Sequence, residues 1–190
     1  MFDEVPIVVE PASDALPESL SVLKTALRVE HDTDDDYLEE LLQAAADQVT
    51  TRTGRQVLTC SRRLGLCEWW SGSIDIPYPK LQSVTHVKYI DCNGDEQTLD
   101  PSNYSVCTSG QYGRVVIRGS TPSLDTDVEK PIGVTFVCGY GDEGTDVPSG
   151  LRLPIRELVR CWYEEKTPRD QFPPHIDALL DTFKLRKFWT

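Results

Sequence analysis

Residues 19–54, SLSVLKTALRVEHDTDDDYLEELLQAAADQVTTRTG, decide the fold, because they contain two helix-length apolar patterns separated by an acidic segment. The first pattern predicts a helix over residues 19–28, and the second predicts a helix over residues 34–53 that stops at a glycine. The stripe positions are Leu20, Leu23 and Leu27 in the first helix, and Leu38, Leu41, Leu42, Ala45 and Val49 in the second. Two amphipathic helices with a short connection predict a small helical bundle that packs on other elements.

The acidic segment at residues 30–36 has a simple structural interpretation. Thr33 or Asp34 can cap the second helix, and Asp35 and Asp36 are favourable in its first turn. The spacing also imitates the start of an EF-hand, but the loop's required glycine is replaced by a tyrosine and its required glutamate by a glutamine. We therefore expect no metal site here.

Between residues 57 and 138 the apolar period changes towards two, which predicts antiparallel strands. Asn93-Gly94 predicts a tight hairpin turn within this region. The predicted strands cover residues 57–66, 74–77, 84–91, 97–99, 104–107, 114–117 and 133–138. The chain then returns to helix at 149–166, with Pro154 expected in the first turn, and at 176–182. Helices on both sides of a β-rich insertion predict an α+β protein.

The two ends of the chain differ from its middle. Residues 1–18 are rich in proline and acids and predict an extended arm, which leaves residues 19–182 as one α+β domain with its β insertion at about 57–138. Residues 183–190 form a tail with aromatic and positive side chains, which either docks on a partner or folds back on its own core. The tail residues in question are Phe183, Lys184, Arg186, Lys187, Phe188 and Trp189.

Charge argues against a protein that grips nucleic acid. The chain has 31 acids and 19 bases, a net charge of −12, whereas DNA binding requires clustered Lys and Arg. Apolar runs are too short for a membrane span, and the start shows no secretory signal, so we expect the protein to be made and kept in the cytosol.

Sequence motifs predict neither catalysis nor a cofactor. The six cysteines lack metal-ligand spacing and are expected to be reduced and buried. Residues 139–144 spell G-x-G-x-x-G, but two acids inside the motif and a following Pro148 indicate a turn rather than a dinucleotide site. We therefore predict no catalytic, cofactor-binding or metal-binding residues.

Several segments, taken in order, resemble the head–tail connector (adaptor) proteins of long-tailed phages, prophages and gene transfer agents. It is their order and spacing over residues 19–166 that carries the resemblance. The segments are LKTALRV (23–29), DDDYL (34–38), TGR (53–55), IPYPKLQSV (76–84), VKYIDCNG (87–94), TLDPSNY (98–104), VTFVCGYG (134–141), VP (147–148) and WYE (162–164).

The resemblance implies a structural virion protein of the neck, without enzymatic activity. It implies a homo-oligomeric ring, commonly a dodecamer, that sits under the portal protein and extends the channel for double-stranded DNA. It also implies a platform for the next head-completion (stopper) or tail protein. Two other classes stay open: an enzyme with a site assembled from distant residues, and a cytosolic protein-interaction module outside a virion.

Charge patterning suggests how such a ring would be held together. Three arginines recur every four residues on one face of the third predicted helix, and they can pair with the acidic segment of a neighbouring copy. The predicted ring contacts are Arg152, Arg156 and Arg160 on one side and Asp34, Asp35 and Asp36 on the other.

Overall fold

The computed structural model describes residues 7–10, 15–165 and 172–185, which form α-helices and antiparallel β-strands. The helices of this part of the chain are α1 (Leu20–Leu27), α2 (Asp35–Thr53), α3 (Ser149–Glu165) and α4 (Pro174–Asp181). The strands are β1 (Ile7–Glu10), β2 (Cys60–Leu66), β3 (Ser73–Ile76), β4 (Leu81–Ile90), β5 (Glu96–Thr98), β6 (Tyr104–Cys107), β7 (Gly113–Ile117) and β8 (Ile132–Cys138). The predicted α+β class is confirmed.

The chain divides into two compact units. The β unit comprises Met1–Ala12 and Cys60–Gly139, and the helical unit comprises Ser13–Thr59 and Tyr140–Thr190. In the β unit, one sheet has the strand order β1-β2-β8-β4-β5 and the other has the order β3-β7-β6. All the strand pairs in these two sheets are antiparallel.

Strand β8 lies in the centre of the five-stranded sheet, and its apolar sequence explains that position. Nearly every one of its residues is buried, as expected for a strand that is covered on both faces. Ile132, Val134 and Phe136 are fully buried and belong to the core of the β unit, together with Leu64 and Val115. The core of the β unit is therefore organised around β8, which follows the other seven named strands in chain order.

Two strand predictions differ from the structure. Residues 7–10, predicted as part of an arm, form an edge strand that pairs with β2, while residues 1–6 and 11–14 lie outside the described part. The strand predicted from residue 57 begins only at Cys60, because the chain bends at residues 57 and 58; the Val57 carbonyl accepts a hydrogen bond from the Tyr140 amide. The Asn93-Gly94 turn is confirmed, with Gly94 at a φ of 84°.

Helix ends in the helical unit follow local chemistry. The Ser19 hydroxyl caps α1 by accepting a hydrogen bond from the Val22 amide, and Gly54 ends α2 with a φ of 73°. Asp34 occupies the N-cap position of α2, but its side chain makes no capping bond. Helix α3 begins at Ser149, as predicted, but Pro154 is its sixth residue and so lies in the second turn and not in the first.

The prediction that all six cysteines are buried is wrong for half of them. Cys60 and Cys138 are buried, and Cys161 is half-buried. Cys67, Cys92 and Cys107 are exposed. Burial raises the pKa of the Cys138 thiol to about 12. In the described residues no helix is long and apolar enough to span a membrane.

Candidate interaction surface

A single lysine organises the acidic connection between α1 and α2. The Lys24 Nζ lies 2.6 Å from an oxygen of Asp32 and 2.7 Å from an oxygen of Asp35. Hydrogen bonds to the two carboxylates raise the pKa of Lys24, and the bond to Lys24 lowers the pKa of Asp32. Asp35, predicted as a ring contact, therefore already has a partner within its own copy.

Asp34 is also engaged internally. The Tyr163 hydroxyl on α3 donates a 2.6 Å hydrogen bond to the Asp34 carboxylate, which raises the pKa of that tyrosine. The rings of Tyr37 and Tyr163 lie 6.5 Å apart and are tilted. These contacts join the start of α2 to the end of α3, so the two helices run antiparallel.

Asp36 is the member of the predicted acidic set that stays available. It is exposed, as are Glu39 and Glu40 one turn further along α2. On a helix of 3.6 residues per turn, these three side chains lie within an arc of roughly 100°, opposite the buried apolar stripe. The ion pairs of the described residues include none of the three. We call these three residues the acidic face of α2.

Two of the three predicted arginines are used inside their own copy. Arg152 Nη1 lies 3.6 Å from an oxygen of Glu18, which is buried with only 6% of its surface exposed. Arg160 Nη2 lies 2.7 Å from Glu157, three residues earlier on α3. It also lies 3.9 Å from Glu164, four residues later.

Arg156 is different from its two neighbours on α3. No ion pair within the described residues includes it. It lines a shallow groove between α1 and α3 together with Ser21, Val22, Thr25 and Ala26. We call this feature the Arg156 groove.

Residues 183–185, the last that the structure describes, pack back on the helical unit. The Phe183 carbonyl accepts a 2.6 Å hydrogen bond from Arg55 Nε, and the Leu185 amide donates a 3.0 Å bond to the Thr53 carbonyl. The Phe183 ring lies against Gly150, where a Cβ would approach it to 2.5 Å. Phe183 is half-buried and Lys184 exposed. Arg186, Lys187, Phe188 and Trp189 lie outside the described residues.

Sequence reasoning missed the residue that anchors α4. Arg52 Nε lies 2.7 Å from Asp177, and Arg52 Nη2 lies 3.0 Å from Asp181. Asp177 and Asp181 are four residues apart on one helix face, but their partner is 125 residues away from the nearer one, so no local signal identifies it. Among the described residues, no group of His, Cys, Asp or Glu has the arrangement of a metal site.

Chains from three solved structures have a similar fold. They come from the neck of an empty gene transfer agent (GTA) particle computed with C6 symmetry (TM-score 0.81), the virion of a native GTA particle (0.80), and the neck of a native GTA particle computed with C12 symmetry (0.79). Each is 20% identical to this protein, and each match covers 98% of both chains. A comparison with curated proteins finds no match.

The model of one protein family matches residues 17–112, just over half of the 190-residue chain. These residues contain α1, α2 and most of the β unit, and they include the early segments that carry the resemblance described above. The chain belongs to the family of phage gp6-like head-tail connector proteins.

Proposed function

We propose that this protein is a structural connector of a virion neck, where it forms a ring under the portal, extends the DNA channel and docks the next head-completion or tail protein. The observation that carries the proposal is the match of the fold, over 98% of the chain, to neck chains of particles computed with sixfold and twelvefold symmetry. Membership of a head-tail connector family supports the same role. The role is mechanical, and no catalytic step belongs to it.

The charge of the chain suits a ring around DNA. Twelve copies at −12 each carry −144. If part of this charge lines the lumen, it repels the DNA phosphates and keeps the duplex from adhering to the wall. The repulsion is short-ranged, because the Debye length is roughly 8–10 Å at physiological salt.

The C-terminal tail is the proposed contact with the portal. Residues 183–185 are held by hydrogen bonds from Arg55 and to Thr53, so the tail is fixed to the helical unit as far as residue 185. The following residues, Arg186, Lys187, Phe188 and Trp189, combine positive charge with aromatic rings, which are frequent at binding hot spots. The docking segment proposed here therefore begins at residue 186.

Imaging tests the connector role directly. The protein is mixed with the portal protein of the same genome and compared with each component alone by negative-stain electron microscopy. We expect an added ring layer on the portal, whose symmetry gives the number of copies. Bare portals in the presence of micromolar folded protein would contradict the proposal.

A truncation tests the tail. Deletion of residues 186–190 is expected to leave the circular dichroism spectrum unchanged and to remove portal binding, because every described hydrogen bond of residues 183–185 is kept. In a second variant, Arg186 and Lys187 are replaced by glutamine while Phe188 and Trp189 are kept. This variant shows how much of the portal binding depends on the two positive charges and how much on the aromatic side chains. Portal affinity equal to that of the full chain after the deletion would show that another surface makes the contact.

A further inference from the structure

We infer that neighbouring copies in the ring are joined by the Arg156 groove of one copy and the acidic face of α2 of the next. This inference rests on the proposed ring, and it identifies the two surfaces that meet between neighbouring copies. It replaces a broad set of six charged residues with the few that the structure leaves available.

The groove offers one cation, Arg156, which has no ion pair among the described residues and is surrounded by small and apolar side chains. Val22 is 41% exposed, and Ala26 one turn along α1 is also exposed. Leu153 lies three residues before Arg156 on α3 and is 41% exposed, so the two residues are neighbours on the helix surface. Apolar contacts around a single arginine are typical of the desolvated centre of a protein interface.

The acidic face of α2 has the complementary charge and shape. Glu39 and Asp36 are three residues apart and Glu40 and Asp36 four, so their carboxylates form one cluster on the helix surface. A carboxylate can accept two parallel hydrogen bonds from a guanidinium, which makes arginine the favoured partner for such a cluster. A convex helix bearing carboxylates therefore fits a shallow groove that contains an arginine.

The two surfaces do not meet within one copy. Among the described residues, no ion pair joins Arg156 to Asp36, Glu39 or Glu40. The acidic face also points away from the buried stripe that packs α2 on its own unit. Different surfaces on the same subunit make a heterologous contact, which is the kind that generates rings when the rotation closes.

Charge reversal and charge exchange test the inference on the complete protein. Arg156→Glu places like charges across the contact, so we expect the protein concentration for half-maximal ring formation on portals to rise by more than about tenfold. Combining Arg156→Glu with Glu39→Arg and Glu40→Arg restores opposite charges across every interface and is expected to recover the ring. Arg118→Glu in the β unit changes the net charge by the same amount and serves as the matched control.

Cross-linking identifies the partner independently of ring formation. Arg156→Lys supplies an amine that a carbodiimide joins to a carboxylate in contact with it. With an equal mixture of 14N- and 15N-labelled chains, we expect mixed-isotope peptides that link position 156 to Glu39 or Glu40. Links from position 156 to the portal or to another neck protein would overturn the inference and identify a different occupant of the groove.

The outcomes separate this inference from the proposed function. If the unmodified protein forms no ring on the portal, the connector proposal fails. If it forms a ring and Arg156→Glu forms the same ring at the same concentration, the connector proposal stands and the assigned contact is wrong. Failure of the charge exchange to restore a ring that Arg156→Glu has lost would also overturn the assigned pairing.

Discussion

Replacement of Gly150 by alanine tests whether Phe183 is fixed against α3. Gly150 is the second residue of that helix, and in an open position alanine would stabilise it by up to about 1 kcal/mol. The structure predicts the opposite sign, because the new Cβ would lie 2.5 Å from Phe183 Cζ and 2.6 Å from Cε2. Overpacking of this kind costs about 1–3 kcal/mol.

The effect of Gly150→Ala on stability should change sign once the aromatic side chain of Phe183 is removed. Phe183→Ala alone loses the packing of a half-buried ring and is expected to cost about 1–2 kcal/mol, less than the 3–5 kcal/mol typical of a fully buried phenylalanine. In that background Gly150→Ala should stabilise the protein by up to about 1 kcal/mol. The double-mutant cycle therefore predicts a coupling free energy of about 1–4 kcal/mol.

Urea denaturation followed by far-ultraviolet circular dichroism measures the cycle, since the signal is dominated by the helices. The four proteins are the unmodified chain, the two single variants and the double variant. Gly150→Ala that stabilises the chain equally in both backgrounds would refute the reasoning. It would mean that the Phe183 ring moves away from α3 at no cost, and that Phe183 is not fixed against that helix.

Three further predictions concern single contacts. Iodoacetamide near neutral pH should alkylate Cys107, because its thiol is exposed and hydrogen bonding to a neighbouring serine lowers its pKa. It should spare Cys138, which is buried and whose pKa is raised to about 12. Peptide mass spectrometry measures the two alkylation rates, and equal rates would contradict the prediction. The hydrogen bond to Lys24 lowers the pKa of Asp32 below 3.8 in the folded protein. The Asp32–Lys24 pair therefore stabilises the fold above pH 3.8, and this stabilisation is lost as the pH falls through the pKa of Asp32 in the folded state. Lys24→Gln should lose less stability than the unmodified chain between about pH 5 and pH 3, as measured by urea denaturation. Tyr163→Phe removes a hydrogen bond to a carboxylate and should lower the free energy of unfolding by about 1 kcal/mol, with no change if the bond is absent in solution.

Local patterns were sufficient to predict most elements of this fold. Helix α2 was predicted to within one residue because its apolar stripe is continuous and Gly54 supplies the left-handed conformation that ends it. The hairpin at Asn93-Gly94 was predicted from its turn chemistry alone. Strand β1 was missed although Ile7, Val8 and Val9 form a β-branched run, because flanking prolines favoured an unpaired arm. Its pairing partner lies about fifty residues later, and only the folded sheet brings them together.

Which charged side chains have partners within the same chain could not be predicted from the sequence. The regular spacing of three arginines on α3 is visible in the chain, but the engagement of Arg152 by Glu18 depends on how α1 is placed. Asp34 looks like a helix cap, yet its partner Tyr163 is 129 residues away. Sequence predicts which residues are charged and on which helix face they lie. Tertiary structure decides which of those charges are neutralised internally and which remain for a neighbour.

The salt dependence of ring formation follows from two opposing electrostatic effects. Each copy carries −12, so copies repel one another, whereas the proposed contact between Arg156 and the acidic face of α2 is attractive. Repulsion between dispersed charges acts over long distances and is largely screened once the Debye length falls to roughly 8 Å, near 0.15 M salt. A contact pair at about 3–4 Å is weakened mainly when the Debye length approaches 3 Å, near 1 M salt.

Ring formation should therefore rise with salt up to about 0.15 M and decline towards about 1 M. Native mass spectrometry is restricted to volatile salts, so light scattering or sedimentation of the protein with its portal is the suitable measurement. Arg156→Glu should lose the decline at high salt, because its contact is repulsive and screening can only help it. A ring that strengthens steadily up to 1 M in the unmodified protein would show that apolar burial, not this ion pair, joins the copies.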